Sequence, residues 1–179
     1  MTEEAKKTTR KKSADAKMPI DPTSEEIVKL IRKRANWAAG VGLLGLPFVN
    51  FAGVTAIQVE MVKSLCAKYD KTFSETAAKN IISGLLSSGA VHLTAPVVGT
   101  AALAIPLVGF PLAVASKPVM NGIFTYALGH VFATHFANGG SLVGVAAGEL
   151  TGSFKNAVQG ARNKMAGVIA GKQGEPESA

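Results

Sequence analysis

Three long stretches of the chain carry no Asp, Glu, Lys or Arg: 35–59, 80–116 and 118–148, with Lys117 alone parting the last two. A water-facing helix needs a charged or polar outer face. Stretches of 25 to 37 residues without charge therefore require that something other than water cover much of their surface. The composition agrees, at 47% hydrophobic with a mean hydropathy of +0.26, which is more apolar than most soluble domains of this size.

The net charge of +7 is concentrated at the start, where ten of the nineteen Lys and Arg precede residue 35. A nucleic-acid protein spreads its basic groups over a folded face interleaved with aromatics. Here the basic segment leads into an apolar one, so nucleic acid is not expected and anionic lipid head groups are the natural counter-charge. Cys66 is alone, which rules out an internal disulfide framework and a multi-cysteine metal site. About thirty-four polar residues precede the first apolar stretch, unlike a secretory signal.

Punctuation along the chain predicts an all-α protein. Residues 1–22 are polar and of mixed charge and read as a disordered basic arm. Thr23 is the expected N-cap of the first helix, with Glu26 as its capping-box partner. Ile27, Leu30 and Ile31 keep helical spacing, and Lys29, Arg32, Lys33 and Arg34 form a basic collar ahead of Trp37. Such a collar beside an interfacial Trp marks where a helix enters a bilayer. Pro47 should end or kink this helix. A second helix follows Phe51, with Val54, Ile57, Met61 and Leu65 on one stripe, and a polar loop over 68–76 offers Ser74 or Thr76 as the next cap.

The third helix, expected over 77–105 with a kink at Pro96, is the main spanning candidate: about 25 uncharged residues rise roughly 37 Å against a bilayer core of about 30 Å. The chain should turn at 105–111, run back over 112–136, and stop at Asn138-Gly139-Gly140. A fifth, amphipathic helix is expected over 141–170, followed by a loose tail, 171–179.

An offset of 59 residues aligns Leu46-Pro47-Phe48-Val49 with Ile105-Pro106-Leu107-Val108 and Met61 with Met120. Both halves then read as helix, proline turn, helix, so residues 23–140 are expected to form two tandem hairpins embedded in a membrane from one face. All basic residues except Lys117 fall on the side of the tails and the loop around Asp70, which orients that side to the cytoplasm of a bacterial inner or intracellular membrane. The first hairpin is short enough to enter only as a wedge.

Gly140, Gly144, Gly148 and Gly152 recur every fourth residue beside the stripe Leu150, Phe154, Ala157, Ala161, Met165, Val168. Glycine weakens a helix interior unless close approach of a neighbour compensates, so this ridge is expected to pack helices and assemble copies into a homo-oligomer. Chemistry is sparse by comparison. His130 and His135 are five residues apart and do not share a helix face; His92 is the third imidazole, and neutral histidines bonded to carbonyls are expected. Gly40-Val41-Gly42-Leu43-Leu44-Gly45 has the letters of a dinucleotide fingerprint but no preceding strand. No catalytic, cofactor or metal residues are assigned. Lys117 is the one candidate intramembrane charge, either snorkelling or serving an ion path.

The segments around Leu46-Pro47-Phe48-Val49-Asn50, Gln58-Val59-Glu60-Met61, Ala67-Lys68-Tyr69, Ile105-Pro106-Leu107 and Tyr126-Ala127-Leu128-Gly129-His130 resemble the YcjF-like bacterial membrane domain of unknown function, over roughly residues 25–140. That resemblance implies a membrane-embedded domain and a GTPase as partner, since members are often attached to or encoded with one. It lends no catalytic residues. The leading expectation is a non-enzymatic, self-assembling membrane scaffold or membrane-shaping protein; a small channel or transporter and a GTPase anchor are the alternatives.

Overall fold

The computed structural model describes residues 20–42, 47–93 and 106–173, with side-chain packing described over 20–41, 52–88 and 118–165. The described residues fold into five helices: α1 (Glu25–Gly42), α2 (Pro47–Lys68), α3 (Glu75–Leu93), α4 (Pro106–Ala137) and α5 (Ala147–Gln173). The all-α expectation holds for them.

Both proline positions open helices. Pro47 and Pro106 are the first residues of α2 and α4, where a missing N–H costs nothing and a fixed φ favours helix; the expected starts after 51 and at 112 were therefore late. At α1, the cap is displaced by one residue. The Asp21 carboxylate accepts hydrogen bonds from the Thr23 N–H and hydroxyl at 2.7 Å each, and the Ser24 carbonyl accepts from the Val28 N–H at 2.9 Å. Thr23 thus belongs to the preceding turn and not to a capping box. Ile20, assigned to the arm, packs against the core. At α3, Ser74 is the cap, its hydroxyl accepting from the Ala77 N–H at 3.3 Å.

Helix α2 ends on Asp70 in the left-handed region (φ 52°), with the Lys71 N–H bonded to the Cys66 carbonyl at 2.8 Å. Helix α4 ends the same way on Gly139 (φ 87°), with the Gly140 N–H bonded to the His135 carbonyl at 2.9 Å. These are αL terminations that satisfy the last-turn carbonyls. Lys71 Nζ also donates to the Gly139 carbonyl at 3.0 Å, tying the two loops together.

The packing order differs from two tandem hairpins. Helices α1 and α2 do form an antiparallel hairpin, registered by Lys68 on Glu26, Arg34 on Glu60 and Val41 beside Gly53. The most extensive interface, however, is between α1 and α4. These run antiparallel, with Gly129 against Ile31 and Gly122 against Ala35 and Ala39. Helices α3 and α4 share no extended interface among the described residues; α3 lies against α5 and α2 instead. A proline-turn repeat is visible in sequence, but helix pairing is decided by side-chain fit, and α4 fits the α1–α2 groove. There Gln58 donates to Thr125 Oγ1 at 3.1 Å and Met61 abuts Gly129.

The core gathers Ile27, Ile31, Met61, Leu65, Ile82, Leu85, Leu128, Phe132 and Phe154, all almost fully buried. Among the described residues no helix is long and apolar enough to cross a membrane. Helix α3 is described only to Leu93, so the expected continuation to 105, with Pro96, lies outside the described residues. So do residues 1–19, 43–46 and 174–179, which hold most of the expected arm and tail; the tail's start, 171–173, is the last turn of α5.

Candidate membrane interface

The antiparallel pairing of α1 with α2, the loop joining α2 to α3, and the antiparallel pairing of α1 with α4 bring four helix ends to one end of the bundle, those of α1, α2 and α3 without charge and that of α4 carrying Lys117. Arg34 Nη2 lies 3.8 Å from Glu60 Oε1, and these are the last charges before 35–59 and the first after it. Lys79, the last charge before 80–116, lines the same surface hollow as Glu60. The charge boundaries of three helices therefore lie at one level. Beyond it, α1 continues for residues 35–42 and α3 for 80–93, roughly 12 Å and 21 Å of helix at 1.5 Å per residue.

Trp37, the chain's single Trp, sits one turn beyond Arg34 and is 61% exposed. With Lys33, Arg34 and Lys68 it borders a hollow on the outer α1–α2 face. An apolar ring beside cations at a charge boundary is the arrangement found where helices meet lipid head groups. Of the expected collar, Lys29 pairs with Glu25 at 2.7 Å, Arg34 pairs with Glu60, and Arg32 and Lys33 are exposed. Arg32 points the other way, toward a groove of about 600 Å³ between α1, α4 and α5. That groove is lined by Ala35, Ala39, Gly122 and Ile123, with Met165 at its edge.

The glycine ridge does not exist as one helical face. Helix α5 begins at Ala147, because Glu149 reaches back to accept the Ala146 N–H at 3.0 Å and so fixes the first turn there. Gly144 lies upstream with φ 94°. Gly140 follows α4, and its missing side chain leaves room for the His135 ring, whose Nε2 is 3.0 Å from the Ser141 carbonyl. Only Gly148 and Gly152 are on the helix, and a Cβ at either would meet nothing within 4 Å. Among the described residues the tightest approaches between helices are at Gly129, where a Cβ would stand 2.6 Å from Ile31, and Gly84, where it would stand 2.6 Å from Ala147.

His130 stacks edge-on with Tyr126, centroids 4.5 Å apart, and burial, aided by the charge of Lys164, holds its pKa below the usual value. Burial pushes the Cys66 thiol up to about 11, leaving it unreactive. No group of His, Cys, Asp and Glu suited to a metal occurs among the described residues. The side chains of Lys117 and His92 lie outside the described residues; the Lys117 backbone is on α4, more than a turn beyond Gly122. Sequence reasoning missed Gln58, Thr125 and Lys164. The first two stand in uncharged stretches with nothing to mark them as buried, and Lys164 comes to the α1–α4 groove only because α5 crosses it.

A family model described as a domain of unknown function, DUF697, matches residues 9–166. Among curated proteins, the chain is 32% identical over 138 residues to "Magnetosome membrane protein 22" of Magnetospirillum gryphiswaldense, covering 76% of this chain and 70% of that one. No solved structure matches.

Proposed function

The chain belongs to the DUF697 family of domains of unknown function, and from that premise we propose that it is a non-enzymatic protein of a bacterial inner or intracellular membrane. Its uncharged helix ends sit in one leaflet, and its charged ends and tails remain in the cytoplasm. The observation that carries this reading is the common level of the charge boundaries on α1, α2 and α3. The described helix beyond that level, roughly 12 Å on α1 and 21 Å on α3, brackets the roughly 15 Å of a single leaflet, half of a core of about 30 Å, so insertion needs no spanning helix. The relative from Magnetospirillum gryphiswaldense, named as a magnetosome membrane protein, supports an intracellular membrane as the site.

Because Trp37 is the single Trp, its emission reports on the interface directly. Added vesicles of anionic phosphatidylglycerol should shift the emission to the blue and carry the protein upward in a flotation gradient; unshifted emission and protein left at the bottom would refute the reading. Copies further assemble through the open Gly148–Gly152 face of α5, where a Cβ would meet nothing within 4 Å among the described residues and which allows close backbone approach. Such assembly makes the protein a scaffold on the membrane.

A further inference from the structure

The groove between α1, α4 and α5 has the form of an amphiphile. Because α1 and α4 are antiparallel, with Gly129 by Ile31 and Gly122 by Ala39, Arg32 is level with Tyr126 at one end, and Gly40 is level with Pro118 and Val119 at the other. Lys164 lies at the Arg32 end, since its charge is felt by His130, one turn beyond Tyr126. Among the described residues both cations line the groove together with Asn36, and no carboxylate does. Lys29, Arg34, Lys68 and Lys79 each pair with a carboxylate, whereas neither Arg32 nor Lys164 has an ion pair among the described residues. The opposite end is apolar and open, with Val119 38% exposed. A volume of about 600 Å³ falls within the range of small-molecule sites, about 300–1,000 Å³.

We propose that this groove binds one anionic phospholipid, its phosphate held by Arg32 and Lys164 and an acyl chain laid over Ala35, Ala39 and Gly122 toward Val119. The inference rests on the membrane reading, which supplies the lipid. It adds a specific binding site to a general affinity for the surface. Two cations on separate helices, α1 and α5, would be bridged by the phosphate, so lipid also fastens α5 to the bundle.

The test is calorimetric titration of the full chain with dihexanoyl phosphatidylglycerol, kept below its micelle concentration. Dihexanoyl phosphatidylcholine and inorganic phosphate serve as comparison ligands. Saturable binding of the anionic lipid is expected, weakened at least tenfold in Arg32→Gln/Lys164→Gln and in the groove-filling Val119→Phe, and unchanged in the charge-matched Lys63→Gln/Lys155→Gln. Equal binding in Arg32→Gln/Lys164→Gln and the wild type would overturn the proposal, as would phosphate binding as tightly as the lipid. Trp37 emission with vesicles separates the two readings. A wild-type shift without saturable short-chain binding sinks the groove alone; short-chain binding without any vesicle shift keeps the groove and sinks leaflet insertion.

Discussion

Gly129 illustrates how much of the packing rests on single atoms. A Cβ there would stand 2.6 Å from Ile31 and 3.1 Å from the Met61 sulfur, at the point where α1, α2 and α4 meet. Gly129→Ala should destabilise the fold by about 1–3 kcal/mol, the usual penalty of overpacking, measured by denaturant unfolding, even though alanine favours helix. His130 gives a pH prediction. Its folded pKa is depressed below 6.5 by burial and then by Lys164, so the unfolded chain takes up its proton first. The stability it contributes is complete above pH 6.5 and falls as the pH drops below that value toward the folded pKa. Thermal unfolding followed from pH 7.5 to 5 should show this loss, and His130→Phe should flatten that part of the profile.

At the scale of elements, the helix ends follow rules that the sequence displays. Ser74, Gly139 and the acidic first turns of α1 and α3 are readable signals, and Ser74→Ala should cost about 1 kcal/mol. The start of α5 was harder to read, since a four-residue glycine spacing mimics a helical ridge through residues 140–152 while Gly144 adopts φ 94°. Periodicity alone does not distinguish a helix from a turn that shares its spacing. Helix pairing was likewise hidden: the sequence shows that Pro47 and Pro106 begin similar segments, but not that α4 pairs with α1. The open face of α5 yields a two-sided prediction. Gly148→Leu/Gly152→Leu should raise the stability of the isolated chain, because leucine is the better helix former. It should also shift light scattering toward smaller species, because the bulk blocks close approach; a stabilised chain of unchanged size would leave the face as plain surface.

Over the whole molecule, charge is the organising quantity, and much of it is legible in the sequence: 35–59 and the described part of 80–116 lie at one end of the bundle and the loop around Asp70 at the other, whereas the uncharged stretch 118–148 runs to the Asp70 end, where Lys71 donates to the Gly139 carbonyl. What sequence did not supply was depth, because the level of each boundary depends on helix register. Lys117 is the exception at the apolar end, and removal of a charge costly to place in hydrocarbon should let Lys117→Leu bind vesicles more tightly in flotation. Depth itself is measured most directly at Ala52, which is exposed on α2 and stands eight residues, roughly 12 Å of helix, beyond Glu60. In a Cys66→Ser background, Ala52→Cys protein bound to preformed anionic vesicles should resist a membrane-impermeant maleimide both added outside and trapped inside, while reacting readily without lipid. Labelling from outside at the lipid-free rate, or from inside, would contradict insertion into a single leaflet.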